Sequence, residues 1–187
     1  MVSGERETHK LTETKIEIFL NLGFFSLLID VWTLAQCGFL QFLIPDGRTL
    51  YFIDCFSFFL FPIPFNFLLY DICKSRYHKG ALIFPILYLA NMAADVLLQC
   101  TGIIDIFRLL PATHVIMAAN AVYTVALILY EARKEGNDEA KKFQYPMCVI
   151  MVFGMAEMFL YYLRKFQQTS ILLPAGTLLF IIMLIWI

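Results

Sequence analysis

The chain has little charge. Of its 187 residues only 16% are Asp, Glu, Lys or Arg, while 60% are hydrophobic; soluble domains carry about 25% charged residues. Too few polar residues remain to cover the exterior of a water-soluble domain of this length, so the bilayer is the expected solvent. Nor does one sign of charge dominate: fourteen Lys and Arg stand against fifteen Asp and Glu. That excludes a basic field for nucleic acid. The five cysteines (Cys37, Cys55, Cys73, Cys100, Cys148) form no CxxC pair or short Cys/His cluster. Neither a disulfide framework nor a zinc site is encoded, and they read as small apolar fillers. A nucleophile elbow, an HExxH pair and a phosphate-cradling glycine loop are all missing, so no catalysis is expected of this chain. No lysine lies mid-helix to hold a retinal-type chromophore, and no metal or cofactor is expected. The 19 Phe read as core and lipid-facing packing. The start has no small-residue cleavage pattern, and the apolar run it leads into is too long for a signal peptide.

What is present is six apolar runs: Ile16 to Phe42, Leu50 to Tyr70, Ala81 to Cys100, His114 to Tyr130, Pro146 to Leu163 and Ser170 to Ile187. Runs near 20 residues cross the roughly 30 Å hydrocarbon layer at about 1.5 Å per residue, and helices satisfy their own backbones there. No period-2 alternation with regular turns suggests a barrel. The fold expected is an all-α membrane protein, a six-transmembrane helix bundle over residues 16–187 behind a flank of residues 1–15. Gly47, Gly80, Gly102 and Gly136 fall between runs, and Pro85, Pro111, Pro146 and Pro174 are expected near helix beginnings. Pro62 and Pro64 sit mid-run and should bend the second helix, as a fixed kink or as a hinge.

Ten cations (Arg6, Lys10, Lys15, Lys74, Arg76, Lys79, Arg133, Lys134, Lys141, Lys142) flank the runs on one side, against Arg48, Arg108, Arg164 and Lys165 on the other. This bias predicts both termini in the cytoplasm. The last run barely crosses and carries no cation after Trp186, so a longer protein is expected to continue beyond it.

Asp30, Asp54, Asp95 and Glu157 lie inside the membrane, without a central Lys or Arg. Acids at membrane depth are expensive and functional suspects by default. In the predicted topology Asp54, Asp95, Gln99, His114 and Glu157 lie at one outer level. Asp95 with Gln99, and Glu157 with Tyr161, are four apart and share helix faces. Two readings stay open: an outward-opening pocket for a small ligand, or protonated acids acting as interhelical hydrogen-bond glue. Asp30 is offset in depth and reads as structural. The connection from Thr101 to His114 is apolar with one acid and one base, Asp105 and Arg108, three apart; it reads as a lid or as an interfacial loop. Glu131 to Lys142 reads as a solvated hairpin around Gly136-Asn137. Asp71, Lys74, His78 and Lys79 read as a solvated loop.

Three stretches carry a family resemblance. Leu22-Gly23-Phe24-Phe25-Ser26 runs on to Val31-Trp32-Thr33-Leu34. Phe59-Leu60-Phe61-Pro62-Ile63-Pro64-Phe65 follows. Gln99 to Asp105 continues with Leu110-Pro111-Ala112-Thr113-His114. Together they resemble the membrane region of GGDEF-type signalling proteins from Gram-positive gut bacteria, which are similar to seven-transmembrane receptors with diverse intracellular signalling modules. The similarity covers Ile16 to about Tyr130 and fades thereafter. It implies helices two to seven of a seven-helix receptor whose parent would end in a diguanylate cyclase. The Gly-Gly-Asp-Glu-Phe sequence itself is absent, so cyclic dinucleotide synthesis is not implied for these residues. The function expected is a membrane sensor and relay with Asp54, Asp95, Gln99, His114 and Glu157 as ligand-binding candidates and Pro62 and Pro64 as hinge. The expected partners are the lipid bilayer, a small ligand or membrane signal, and a cytoplasmic signalling module in cis or trans, with a homodimer left open. The rival is a small transporter or permease fragment using its intramembrane carboxylates.

Overall fold

The computed structural model of the chain describes residues 2–163 and 171–186, with side chains from residue 16 onward. Among these residues there are seven α-helices and no strand: α1 Val2–Gln36, α2 Gly47–Leu60, α3 Pro62–Ile72, α4 Ile83–Cys100, α5 Ile106–Arg133, α6 Asp138–Leu163 and α7 Leu172–Ile185. Short 3-10 turns at Phe39–Phe42 and His78–Leu82 precede α2 and α4. Five stretches are long and apolar enough to cross a membrane: Ile16–Gln36, Gly47–Ile72, His78–Cys100, Ile106–Arg133 and Asp138–Leu163. The second of these comprises α2 and α3 together. The chain is thus an all-α membrane bundle.

Several helix ends differ from expectation, each for a local reason. The first run stops at Gln36 rather than Phe42 because Gly38 takes a left-handed backbone, φ 70°, which turns the chain. Thr101 to His114 is neither lid nor loop. Asp105 accepts the N–H of Phe107 at 2.9 Å and starts α5 at Ile106, so two turns of helix replace most of the connection. Arg108 meets Asp105 through the backbone, its N–H on the Asp105 carbonyl. Pro111 and Pro146 lie inside α5 and α6 instead of opening them, whereas Pro85 and Pro174 do sit in first turns. At Pro62 and Pro64 the helix is interrupted at the single residue Phe61: α2 ends at Leu60 and α3 begins at Pro62. The proline nitrogens cannot donate to the carbonyls one turn back, those of Phe58 and Leu60. Helix α7 has 14 residues, about 21 Å long, and falls short of the hydrocarbon thickness. The expected end points Ser170 and Ile187, and the cations Arg164 and Lys165, lie outside the described residues.

Neighbours in sequence pack as neighbours in space. Helix α6 lies between α5 and α7, α1 lies along α2 and α3, and α1 also reaches α7. Gly176 makes the α6–α7 approach close, since a β-carbon there would collide with the ring of Phe153. The core gathers Phe25, Ile29, Trp32, Phe61, Phe65 and Phe180 with Leu68, Leu69, Ile128 and Met147. The rings of Phe25, Trp32 and Phe58 all contact Phe61 at the α2–α3 break. Aromatic pairs of this kind are each worth about 0.5–1.5 kcal/mol beyond their area. Phe19, Phe24, Val115, Val122, Val152 and Phe159 point outward. A water-soluble protein would pay heavily for that exterior, and in lipid it is the ordinary helix surface.

Candidate functional site

One end of the bundle holds a pocket. The last turns of α1, the second half of α2, the first half of α5, the second half of α6 and the start of α7 converge there around a partly open pocket of about 80 Å³. Its walls are mainly aromatic and aliphatic, including Trp32, Phe58, Phe59, Phe107 and Met117. Few polar groups enter it, the composition ordinary for a small-molecule site. Gln36 in the last turn of α1 donates its amide to both Asp54 oxygens, at 2.8 and 3.0 Å, and so ties α1 to α2. Phe58 lies one turn further along α2, on the face that Asp54 presents. Its ring meets Trp32 at 5.7 Å and the His114 ring edge-on at 6.1 Å.

His114 is 7% exposed. Its Nδ1 shares a hydrogen bond of 3.0 Å with the Tyr162 hydroxyl, and its ring lies 5.1 Å from that of Tyr161. Pro111 lies three residues before it on the same face of α5. Glu157 reaches the pocket from α6 and directs Oε2 at three backbone N–H groups, those of Ile171, Leu172 and Leu173, at 3.1, 2.6 and 3.1 Å. These are donors that the start of α7 leaves without intrahelical partners. The positive end of the helix dipole favours a carboxylate at that place.

Of the residues singled out from sequence, the fold brings Asp54, His114 and Glu157 to one pocket and directs Asp95 and Gln99 elsewhere. Asp95 is 3% exposed and accepts from Asn91 at 2.8 Å; the same amide reaches the Thr113 hydroxyl at 2.9 Å, joining α4 to α5. Gln99 places Oε1 on the N–H of Ile106 at 2.8 Å and closes the turn into α5. The shared face of Asp95 and Gln99 therefore meets α5 and not the pocket. Asp30, expected to be inside the bundle, is exposed on α1. Pro62 lines a smaller cavity of about 50 Å³ with Phe61, Phe65, Tyr88 and Asn120. That cavity shares Met117, Gly154 and Leu173 with the pocket, so the two have wall residues in common.

The opposite end holds a polar knot that sequence reasoning assigned to solvent. Glu131 has no exposed surface. Its Oε1 accepts the N–H groups of Lys74 and Ser75 at 3.0 and 2.6 Å, and its Oε2 accepts the Asn137 amide at 3.2 Å. The Asn137 amide also reaches the Ile72 carbonyl at 2.9 Å. Together these bonds fasten the end of α3 to the α5–α6 turn. That turn passes through Gly136 at φ 68°, as the Gly136-Asn137 pair suggested. The signal was in the periodicity: Thr124, Leu127, Ile128 and Glu131 recur at helical spacing, and all four are buried.

Comparison with protein-family models, with curated proteins and with solved structures finds no match for this chain. Function is therefore argued from the pocket, the break and the knot.

Proposed function

We propose that this chain is the membrane-embedded sensing and relay part of a signal-transduction protein, without catalysis of its own. The observation that carries this reading is the contact between pocket-lining rings and Phe61 at the proline break. Trp32 and Phe58 line the pocket, and both pack on Phe61 at the break. A ligand that moves either ring acts on the element most able to change shape. Binding biases a two-state helix pair only if it favours one packing over the other. Below the break, α3 leads to Ile72 and the Glu131 knot, which couples it to α5 and α6 at the far end. The resemblance to the membrane region of GGDEF-type receptors agrees with a cytoplasmic cyclase as the output module.

The cation bias favours insertion in a bacterial inner membrane with the knot and both termini in the cytoplasm and the pocket facing outward. A receptor is favoured over a transporter because Asp30 faces outward from the bundle while Asp95 is tied to Asn91. The two offer no common route for a coupling cation. The test joins the chain, through its C-terminus, to a GGDEF cyclase. His114→Leu should change cyclic dinucleotide output at least threefold with normal membrane insertion. Alkaline-phosphatase fusions at Lys141 and after Ile187 should both be inactive. Unchanged output, or active fusions at those positions, would refute the reading.

A further inference from the structure

The pocket's own walls leave its charge unbalanced. Asp54 and Glu157 bring carboxyl groups to it from two different helices, and among the described residues no lysine or arginine lines it, His114 being the basic side chain present. The two acids differ in what they have left to offer. Oε2 of Glu157 already serves three backbone N–H groups at the start of α7. Asp54 has a single neutral amide, that of Gln36, shared between both oxygens. One turn from it stand the ring of Phe58 and, beside that ring, the indole of Trp32. An acid with an incomplete set of donors, set against aromatic rings and facing a partly open, mostly apolar pocket, is complementary to a cation with an apolar body. Aromatic faces attract such cations, more strongly where water is excluded. An anionic ligand would meet two carboxyl groups and, among the described lining, His114 alone as a basic side chain. A purely apolar one would leave Asp54 facing it uncompensated.

Resting on the sensory reading above, we infer that the pocket binds an amphipathic organic ammonium, its cationic head at Asp54 and its apolar body along Phe58 and Trp32. The ligand is thereby placed against the two rings that contact Phe61 at the helix break. Polyamines and inorganic cations fit less well, since neither covers the aromatic wall.

The experiment uses the full chain in detergent. Trp186→Phe removes the second of two tryptophans and leaves Trp32 as the sole indole reporter. Benzyltrimethylammonium is compared with its uncharged isostere neopentylbenzene at equal free concentration. The ammonium should quench Trp32 fluorescence saturably, at least tenfold more tightly than the isostere. Asp54→Asn should weaken the ammonium at least tenfold and leave the isostere unchanged, the second result showing that the variant's pocket is formed. Equal affinity for the two probes, or an Asp54→Asn variant that binds the ammonium as the parent does, overturns the cation assignment while leaving a sensory pocket for a neutral signal. Quenching by neither probe overturns the cation assignment and counts against the pocket as a binding site.

Discussion

Glu157, Glu131 and Gln99 each direct a side-chain oxygen at backbone N–H groups at the ends of helices and in the turns between them. An acid or amide inside a bundle is therefore not a ligand site by virtue of its depth; what distinguishes Asp54 is its sparser set of donors. The contrast extends to the cysteines. Cys73 stands just past the end of α3, buried beside Glu131. Burial, and then the Glu131 carboxylate, push its thiol above the ordinary cysteine value. A raised pKa means less thiolate at neutral pH and slower alkylation. Cys37 and Cys100 are exposed. N-ethylmaleimide at neutral pH should modify those two in the detergent-solubilised native protein and reach Cys73 at least tenfold more slowly, until denaturant is added. Mass spectrometry after timed quenching reads the order directly. Labelling of Cys73 at the rate of Cys37 would contradict its burial.

At the scale of elements, the spanning segments were legible because long apolar runs are the only feature a bilayer demands of them. Their ends were less so. Prolines at 111 and 146 read as helix starts, because in water an interior proline leaves a carbonyl unpaired and kinks the helix; in a bundle, neighbouring helices tolerate it. The acids Asp105 and Asp138 were the better markers of where α5 and α6 begin. The pocket was half legible. Helical spacing put Glu157 beside Tyr161, but only the crossing of α1 over α2 brings Gln36 to Asp54. Glu131 was misassigned because the stretch that follows it, Arg133, Lys134 and Glu135, is charged, although Leu127 and Ile128, one turn before it, are apolar and buried. The knot it forms is testable as an element-level fastening. Glu131→Ala leaves the Lys74 and Ser75 N–H groups without their acceptor at a buried site, which should cost on the order of 2–3 kcal/mol. Thermal unfolding in detergent would show this as a lowered midpoint, with Glu131→Gln losing less because its amide oxygen still accepts. Identical midpoints for all three proteins would mean that the knot contributes nothing.

For the whole molecule, the decisive arrangement is a pocket at one end, a fastening at the other, and a helix break between them. Phe61 at the break touches Phe25 and Trp32 from α1 and Phe58 from α2. Asn66, one turn into α3 and without exposed surface, turns its amide back onto the Pro62 carbonyl at 2.7 Å. The break is thus packed on all sides, and any change in its angle must repack aromatic rings that also line the pocket. Pro62→Ala with Pro64→Ala restores two backbone donors and allows α2 and α3 to run as one helix. The paired variant should insert normally and keep or raise its thermal midpoint, because the restored N–H groups can bond the Phe58 and Leu60 carbonyls. Joined to a cyclase, it should hold output at one level whether or not a pocket ligand is present, while Trp32 still reports binding. Bound ligand with a lost response separates relay from recognition. A paired variant whose output still follows the ligand would remove the break from the pathway and leave the α5–α6 side of the bundle to carry the signal.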